Sequence, residues 1–206
     1  MSSKEKITMD WKNVAKLALI LLAITAIASL CLALTNYVTA PTIAETNEQA
    51  NTEARQVVLP EAESFEAVED IQSVVAVAAK GSESLVSEIY TGKKGDEVVG
   101  YTIKTTPSGY GGAVEILTGI TKDGVISGIT ILSQNETPGL GAKSTEPAFQ
   151  DQFKDKDATK ELSVVKGGSA EGNQIQAITG ATITSTAVVD GVNLSEKVFK
   201  ALQEVQ

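Results

Sequence analysis

Hydrophobic and polar positions divide the chain into two parts. Residues 17–44 contain no charged side chain, and Leu, Ile, Ala and Val fill most of the first twenty of these positions. A helix needs about 20 apolar residues to cross the hydrocarbon core of a bilayer, so this run is long enough. After residue 85, apolar positions come in short, strand-like runs separated by turn residues. The pattern predicts one membrane-spanning helix followed by a globular domain.

The net charges on either side of the apolar run differ in sign. Lysines 4, 6, 12 and 16 precede it, and the first charges after it are glutamates 45, 48 and 53. The positive-inside rule therefore predicts that residues 1–13 are cytoplasmic, that 14–40 cross the membrane lipid and that the rest is extracytoplasmic, with Trp11 and Tyr37 as interfacial anchors. The alternative is a cleaved signal peptide, because residues 38–40 loosely fit a small-residue cleavage site.

Residues 41–84 are predicted to be a stalk helix and a connector. A capping box at residues 42–45 indicates that a second helix starts there, and the Leu-Pro pair at 59–60 indicates where it stops. Its polar interior favours a solvated stalk, with a surface for partner subunits as the alternative. Residues 61–70 form an acidic connector with no assigned site. Residues 71–79 are apolar without a clear period and fit either a helix or a strand.

The remainder, residues 85–206, is predicted to be an α+β domain. Strand-like runs occupy residues 85–90, 97–105, 113–121, 125–132 and 162–165, with one or two helical turns at 147–153. Short turns containing glycine join successive runs and predict an antiparallel meander. We therefore expect a twisted, mainly antiparallel sheet with flanking helices.

Composition excludes several classes of function. A formal net charge of −9 argues against nucleic-acid binding. The absence of histidine removes imidazole metal sites, histidine-assisted nucleophiles and histidine-ligated haem. The single cysteine, Cys31, cannot form an internal disulfide or hold a cluster alone. No catalytic or metal site is predicted, so any redox chemistry must come from a bound cofactor, and we expect no activity from the chain alone.

The most informative segment reads T-G-A-T-I-T-S at residues 179–185. A β-favourable run at residues 174–178 precedes it, and apolar residues at helical spacing follow it, so it falls at a strand-to-helix turn. Free N–H groups and the positive end of the helix dipole attract an anion there. The plain alternative is that Thr184 or Ser185 only caps the helix.

Three segments of the chain resemble sequence motifs of one known family, and they occur in the same order along the chain. The T-G-A-T stretch at 179–182 resembles the S/T-G-A-T signature of FMN-binding domains, in which a flavin transferase joins FMN to the last threonine through a phosphoester. The E-T-P-G-L-G-A-K stretch at 136–143 resembles the block that lies against the flavin. The G-Y-G-G stretch at 109–112 is similar to a loop of the same family. One departure is Gln176, where related motifs often carry an acidic residue.

The resemblance implies a one-flavin electron relay with FMN esterified to Thr182, or, as a less favoured acceptor, to Thr184. Leu140 and Tyr110 would contact the flavin ring, and Lys143 would neutralise the phosphate or reduced flavin. The implied cofactor-binding residues are Thr179, Gly180, Ala181, Thr182, Thr184, Ser185, Glu136, Thr137, Pro138, Gly139, Leu140, Gly141, Lys143 and Tyr110.

The layout is similar to the RnfG component of the Rnf complex, a membrane-bound ferredoxin:NAD oxidoreductase that couples electron transfer to Na+ or H+ transport. A related family is NqrC, a component of the sodium-pumping NADH:quinone oxidoreductase. The implied partners are other membrane subunits of an Rnf-type complex, a flavin transferase and membrane lipid. The alternatives are an NqrC-like component of the related pump, a membrane-anchored protein of an extracellular flavin-based electron-transfer route, and a non-redox binding module.

Overall fold

The N-terminal helix is continuous in the structure, a computed structural model that describes residues 10–78 and 81–205. Helix α1 comprises Trp11–Val58. Its most apolar 18-residue window has a mean hydropathy of 2.8, and none of that window is buried. Among the described residues, α1 is the one helix long and apolar enough to cross a membrane. By length and composition it fits a single-pass membrane anchor.

The predicted break between a membrane helix and a second, stalk helix is not observed. Pro41 lies inside α1. The Thr42 carbonyl accepts a hydrogen bond of 2.8 Å from the Thr46 hydroxyl, so Thr42 is a residue of the helix interior and does not cap a new helix. Proline removes one backbone donor, and helices in lipid tolerate this loss because neighbouring side chains and small adjustments compensate for it. The capping-box pattern was therefore misleading here.

The chain divides into two units, residues 1–49 and 50–206. The second unit contains a six-stranded antiparallel sheet whose spatial order follows the chain. Its strands are β1 (Ser64–Ala67), β2 (Val86–Lys94), β3 (Glu97–Thr105), β4 (Glu115–Thr121), β5 (Val125–Ser133) and β6 (Lys156–Asp157). Strands β7 (Ser163–Val165) and β8 (Gln174–Gln176) form a parallel pair. The helices are α2 (Ile71–Ala78), α3 (Pro147–Gln150) and α4 (Thr182–Val205), with short 3-10 turns at Glu83–Leu85, Gly141–Thr145 and Asp151–Phe153.

The α+β class and the mainly antiparallel sheet with flanking helices are confirmed. Strand β3 has the predicted bounds, and β2 through β5 form the predicted meander. Two strands were missed. β1 lies in the acidic connector, where Phe65 is the one large apolar residue and Gly92 on β2 is its partner in register. β6 has only two residues, which is too short to produce a pattern.

The run whose type was left open forms helix α2, which packs against α4. Residue 79 of that run, residues 1–9 of the predicted cytoplasmic segment and residue 206 lie outside the described residues.

The two faces of the sheet are covered by different helices. On β4, Ile116 belongs to the main core with α4, whereas Leu117 packs against Ala54 and Val58 at the end of α1. Successive residues of a strand point to opposite faces, so α4 covers one face and residues 54–58 cover the other. Helix α4 therefore has two roles, because its body builds the core and its first residue, Thr182, is the last residue of the T-G-A-T motif.

Candidate functional site

The T-G-A-T turn joins β8 to α4, as the sequence predicts. β8 ends at Gln176 and α4 begins at Thr182. The turn is closed by the Ala181 N–H, which donates to the Ile178 carbonyl at 2.9 Å. Gly180 has a φ of +78°, a conformation that residues with a side chain rarely adopt, and a Cβ there would lie 3.1 Å from Leu140 Cδ2. The positive φ is the stronger reason for glycine here, since a small shift of the exposed Leu140 side chain would relieve the contact.

One buried carboxylate connects all three motifs. Glu136 is 6% exposed. Its Oε1 accepts hydrogen bonds from the N–H groups of Tyr110, at 2.9 Å, and Gly111, at 3.0 Å. Its Oε2 accepts a hydrogen bond of 2.7 Å from Thr184 Oγ1. The G-Y-G-G loop, the E-T-P-G-L-G block and the first turn of α4 are thus held together at a single side chain.

Close packing around this carboxylate explains two of the glycines. A Cβ on Gly109 would collide with Glu136 Oε1. A Cβ on Gly141 would collide with Glu136 Oε2 and lie only 2.6 Å from Thr184 Oγ1. Both positions therefore need glycine, because the backbone approaches the carboxylate closely. Glycines of these motifs allow the segments to pack together, in addition to forming turns.

The hydroxyl groups of the turn have different environments. Thr184 is buried, and its hydroxyl donates to Glu136. The buried Ser185 hydroxyl donates to the Ala181 carbonyl and accepts from the Ile178 N–H, both at 2.9 Å. Thr182 is partly exposed, and within the described part of the chain its hydroxyl has no hydrogen-bond partner. Of these three hydroxyls, Thr182 is the one left available for reaction.

A cavity of about 560 Å³ opens at this junction, within the size range of small-molecule and cofactor sites. Its lining consists of Tyr110, Glu136, Thr137, Leu140, Gly141, Gly180, Ala181, Thr182, Ile183 and Thr184. All but Ile183 are predicted site residues. The remaining predicted residues are outside this lining: Thr179, Pro138, Gly139 and Lys143 are exposed, and Ser185 is buried in the turn.

Ile183 is the lining residue that sequence reasoning missed. It is 57% exposed although it is large and apolar, as are Tyr110, at 71%, and Leu140, at 43%. The only signal in the sequence was its position beside Thr182 at the predicted helix start. These three side chains give the cavity an apolar rim, which suits the flat surface of an aromatic ligand.

The start of α4 supplies donors for an anion. The first N–H groups of a helix have no intrahelical acceptor. Those of Thr182, Ile183 and Thr184 belong to residues that line the cavity, and no side chain in the described part of the chain accepts from them. Together with the apolar rim, they fit a ligand that has both a phosphate and an aromatic ring system. FMN is a ligand of that kind.

Two family profiles match the chain. Residues 109–195 match the FMN-binding domain, a range that includes all three motifs and the whole cavity lining. Residues 1–58 match the RnfG N-terminal region, a range that ends at the last residue of α1. The two profiles therefore correspond to the N-terminal helix and to the part of the globular unit that carries the cavity.

Several relatives are similar over most of their length. The G component of the Na+-translocating ferredoxin:NAD+ oxidoreductase complex of Acetobacterium woodii is 55% identical over 99% of this chain and 100% of the relative. The G component of the proton-translocating ferredoxin:NAD+ oxidoreductase complex of Clostridium ljungdahlii is 38% identical over 81% of this chain and 80% of the relative. The G component of the ion-translocating oxidoreductase complex of Methanosarcina acetivorans is 34% identical over 89% and 93%.

Solved structures of a related fold are more distant in sequence. The C component of the Na+-translocating NADH-quinone reductase of Parabacteroides distasonis superposes with a TM-score of 0.57 at 20% identity, covering 79% of this chain and 96% of that one. NqrC of Shewanella oneidensis gives 0.51 at 18% identity, over 73% and 74%. At these identities the likeness concerns the fold. The full-length similarities and the two family profiles show that the chain belongs to the RnfG family of the ion-translocating ferredoxin:NAD+ oxidoreductase complexes.

Proposed function

We propose that this chain is an electron-transfer subunit that carries FMN, esterified through its phosphate to Thr182, in a membrane-bound ferredoxin:NAD+ oxidoreductase coupled to Na+ or H+ translocation. The observation that carries the proposal is the single cavity at which the three motifs meet around Glu136. Relatives that match over 99% and 81% of the chain are subunits of such complexes, and the FMN-binding-domain profile includes the cavity.

The residues of the cavity have separate roles in this proposal. FMN, when bound, supplies the redox chemistry, and the protein supplies attachment, orientation and electrostatics. Thr182 is the acceptor, and the N–H groups at the start of α4 bind the phosphate. Leu140 and Ile183 offer apolar surface to the ring system. The neighbouring Pro138, Gly139 and Thr179 fix the turns. A covalent tether also keeps an extracytoplasmic cofactor from being lost by dilution.

Intact mass of the full-length chain, made together with a flavin transferase, tests the attachment. We expect the wild type to carry one FMN adduct and to give a fluorescent band on a denaturing gel. Thr182→Ala should abolish both signals because the acceptor oxygen is gone. Thr186→Ala is the matched control, since Thr186 is exposed one turn further along α4 and outside the cavity lining. It should retain the adduct.

Thr184→Ala separates the two candidate acceptors. Thr184 is buried and donates to Glu136, so we expect its loss to reduce the yield of flavin attachment without moving the adduct from Thr182. Peptide mapping by mass spectrometry identifies the modified residue. Flavin on the Thr184 peptide of the wild type, or an adduct that survives Thr182→Ala, contradicts the assignment. A wild type without any adduct beside an active transferase would favour a non-redox binding module.

The proposed location follows from the charges around the apolar run. In this proposal residues 1–13 are cytoplasmic, 14–40 cross the lipid, 41–84 connect, and the FMN-binding domain within 85–206 is extracytoplasmic. The other membrane subunits of the complex are the electron-transfer partners, and a flavin transferase on the same side matures the chain. Gln176, whose exposed side chain replaces the acidic residue of related motifs, is the position at which recognition by that transferase differs.

A further inference from the structure

The cavity contains one charged side chain. Among the described residues that line it, Glu136 carries a negative charge and none carries a positive charge. Lys143, the predicted counter-charge, is exposed and lies outside the lining. A charge in solvent acts weakly because water and salt screen it, whereas a buried charge is screened much less. The electrostatics of the cavity are therefore dominated by a carboxylate.

This carboxylate is fixed in place. Glu136 Oε1 accepts two backbone N–H groups, and Oε2 accepts the Thr184 hydroxyl. Two of the three donors are main-chain groups, and the third belongs to a side chain that is 1% exposed. Glu136 cannot turn away from the cavity without breaking contacts that also join the three motifs. Its carboxylate is therefore held in a fixed position in the site.

The positive end of α4 compensates this charge only in part. Thr184, the partner of Oε2, is the third residue of α4, so the carboxylate already interacts with the positive end of the helix dipole. A phosphate bound at the same helix end would share that favourable field with Glu136. The helix end therefore has little positive potential left to stabilise additional negative charge in the cavity.

We propose that Glu136 is a tuning residue that lowers the reduction potential of the flavin bound in this cavity. The inference rests on the proposed function. One-electron reduction by a reduced redox partner adds one negative charge to the cavity, unless a proton from solvent follows the electron. No bond to the protein forms or breaks. A fixed carboxylate in a partly water-excluded site opposes that added charge, so the oxidised form is favoured.

The test is anaerobic equilibration of the full-length, flavinylated chain in detergent with a reference dye of known potential. Glu136→Gln removes the charge, while its side-chain carbonyl can still accept the two N–H groups at Oε1. At the same dye potential, we expect the ratio of reduced to oxidised flavin in this variant to be at least tenfold higher than in the wild type. For a one-electron couple this corresponds to a rise of about 59 mV in the reduction potential. Glu204→Gln is the matched control, since Glu204 is exposed and lies about 33 Å along α4 from Thr182. It should change the ratio less than twofold.

Glu136→Asp separates charge from packing. It keeps the negative charge but shortens the side chain, so its packing defect is larger than that of Glu136→Gln. We expect its ratio to stay within threefold of the wild type. The inference is overturned if Glu136→Gln changes the ratio of reduced to oxidised flavin no more than Glu204→Gln does. It is also overturned if Glu136→Asp shifts the ratio as much as Glu136→Gln, because the effect would then come from packing.

A second variant applies if Glu136→Gln is not flavinylated. Thr137→Lys adds a positive charge at an exposed lining position and leaves the Glu136 contacts unchanged. Because residue 137 lines the cavity and Lys143 does not, the added charge lies closer to the bound flavin, so the ratio should rise at least threefold, and an unchanged ratio would overturn the inference. Peptide mapping of the wild type keeps the two claims apart. A missing adduct on Thr182 refutes the proposed attachment. A normal adduct, with equal reduction potentials in the wild type and in Glu136→Gln, refutes only the role of Glu136.

Discussion

The backbone around Glu136 approaches the carboxylate so closely that single atoms decide whether the three motifs can meet. Gly109 and Gly141 lie against its two oxygens, and Gly111 lies against the Asn135 carbonyl. Most of these contacts are with polar atoms, although a Cβ on Gly109 would also lie 2.9 Å from Val114 Cγ2, so the assembly of the site depends on polar contacts and on the absence of Cβ atoms. Substitutions that are small by volume are therefore expected to have large effects here.

Gly141→Ala is expected to reduce flavin attachment at least tenfold. Its Cβ would force Glu136 Oε2 and Thr184 Oγ1 apart, and overpacking of this kind costs about 1 to 3 kcal/mol of stability. Time-resolved intact mass measures the attachment, and chemical unfolding measures the stability. Gly139→Asn is the control, because Gly139 has a φ of +78° with open space around it and asparagine tolerates that conformation. Equal loss in both variants would contradict the role of close approach.

The resemblance identified every polar residue that lines the cavity, but not how these residues are connected. Nothing in the sequence shows that Glu136 binds Tyr110 and Thr184, because such contacts depend on how distant segments meet in the fold. Ile183 was missed for a different reason. An isolated apolar residue in a helical run is ordinarily assigned to the core, and only the structure shows it exposed at the cavity.

Helix α4 combines the site with a buried ionisable group. Glu196 is 2% exposed, and its Oε1 has no hydrogen-bond partner among the described residues. Burial raises the pKa of its carboxyl to about 8, with Asp157 and Glu161 adding to the shift and Lys200 and Lys197 opposing it. Between the ordinary pKa near 4.5 and about 8, the folded chain binds this proton more than the unfolded chain does. The free energy of unfolding therefore falls as pH rises through this range.

Glu196→Gln is expected to remove this pH dependence. Relative to the wild type, the variant should gain about 1 to 4 kcal/mol in the free energy of unfolding at pH 8 and little at pH 5. Denaturant unfolding of the full-length chain in detergent at both pH values measures the difference. Glu204→Gln, an exposed glutamate on the same helix, should leave the pH dependence unchanged. An unaltered slope in Glu196→Gln would show that another group is responsible.

A pair of glycines in the sheet receives the end of α1. Gly119 on β4 and Gly128 on β5 are partners in register, and the Val58 carbonyl accepts a hydrogen bond from the Ser127 hydroxyl beside them. A Cβ on Gly119 would collide with the Val58 carbonyl oxygen, whereas a Cβ on Gly128 would lie at an ordinary 3.7 Å from Val58 Cα. The last residues of α1 thus fit a notch formed by the missing side chains.

Gly119→Ala should destabilise the chain by about 1 to 3 kcal/mol, because backbone must move to relieve the contact. Gly128→Ala should cost less than about 1 kcal/mol, since its Cβ meets no atom closely. The midpoint of denaturant unfolding of the full-length chain distinguishes the two. Equal effects would indicate that strand propensity, and not the contact with Val58, is the reason for glycine at both positions.

Element prediction succeeded where short turns separate apolar runs. The Gly95 and Gly124 turns, both with positive φ, mark the hairpins that fix β2 through β5. The prediction of elements failed where a local sequence signal disagreed with the structure formed by the surrounding residues. The capping box after Pro41 indicates a helix start, but the residues on both sides continue one helix. Strand β1 has few apolar residues because it is an edge strand, and its pairing with β2 supplies the stabilisation that its own sequence does not show.

At the scale of the whole molecule, the orientation of the chain in the membrane remains a prediction that labelling can test. An added cysteine at Ser169, which is exposed in the globular unit, should react with an impermeant maleimide in intact cells. A cysteine at position 3 should react only after permeabilisation. Both variants carry Cys31→Ser, so that the single native thiol gives no background. The reverse pattern would contradict the positive-inside assignment.

The exposure of the T-G-A-T turn bears on when the proposed flavin attachment takes place. Thr179, Gly180, Thr182 and Ile183 are partly or fully exposed, whereas the apolar residues of α4 from Val188 to Leu202 pack in the core. Under the proposed attachment, Thr182 therefore lies where a flavin transferase can reach it on the folded domain. The proposal then places flavin loading last, after insertion and folding, so that a pool of folded, colourless precursor can await maturation.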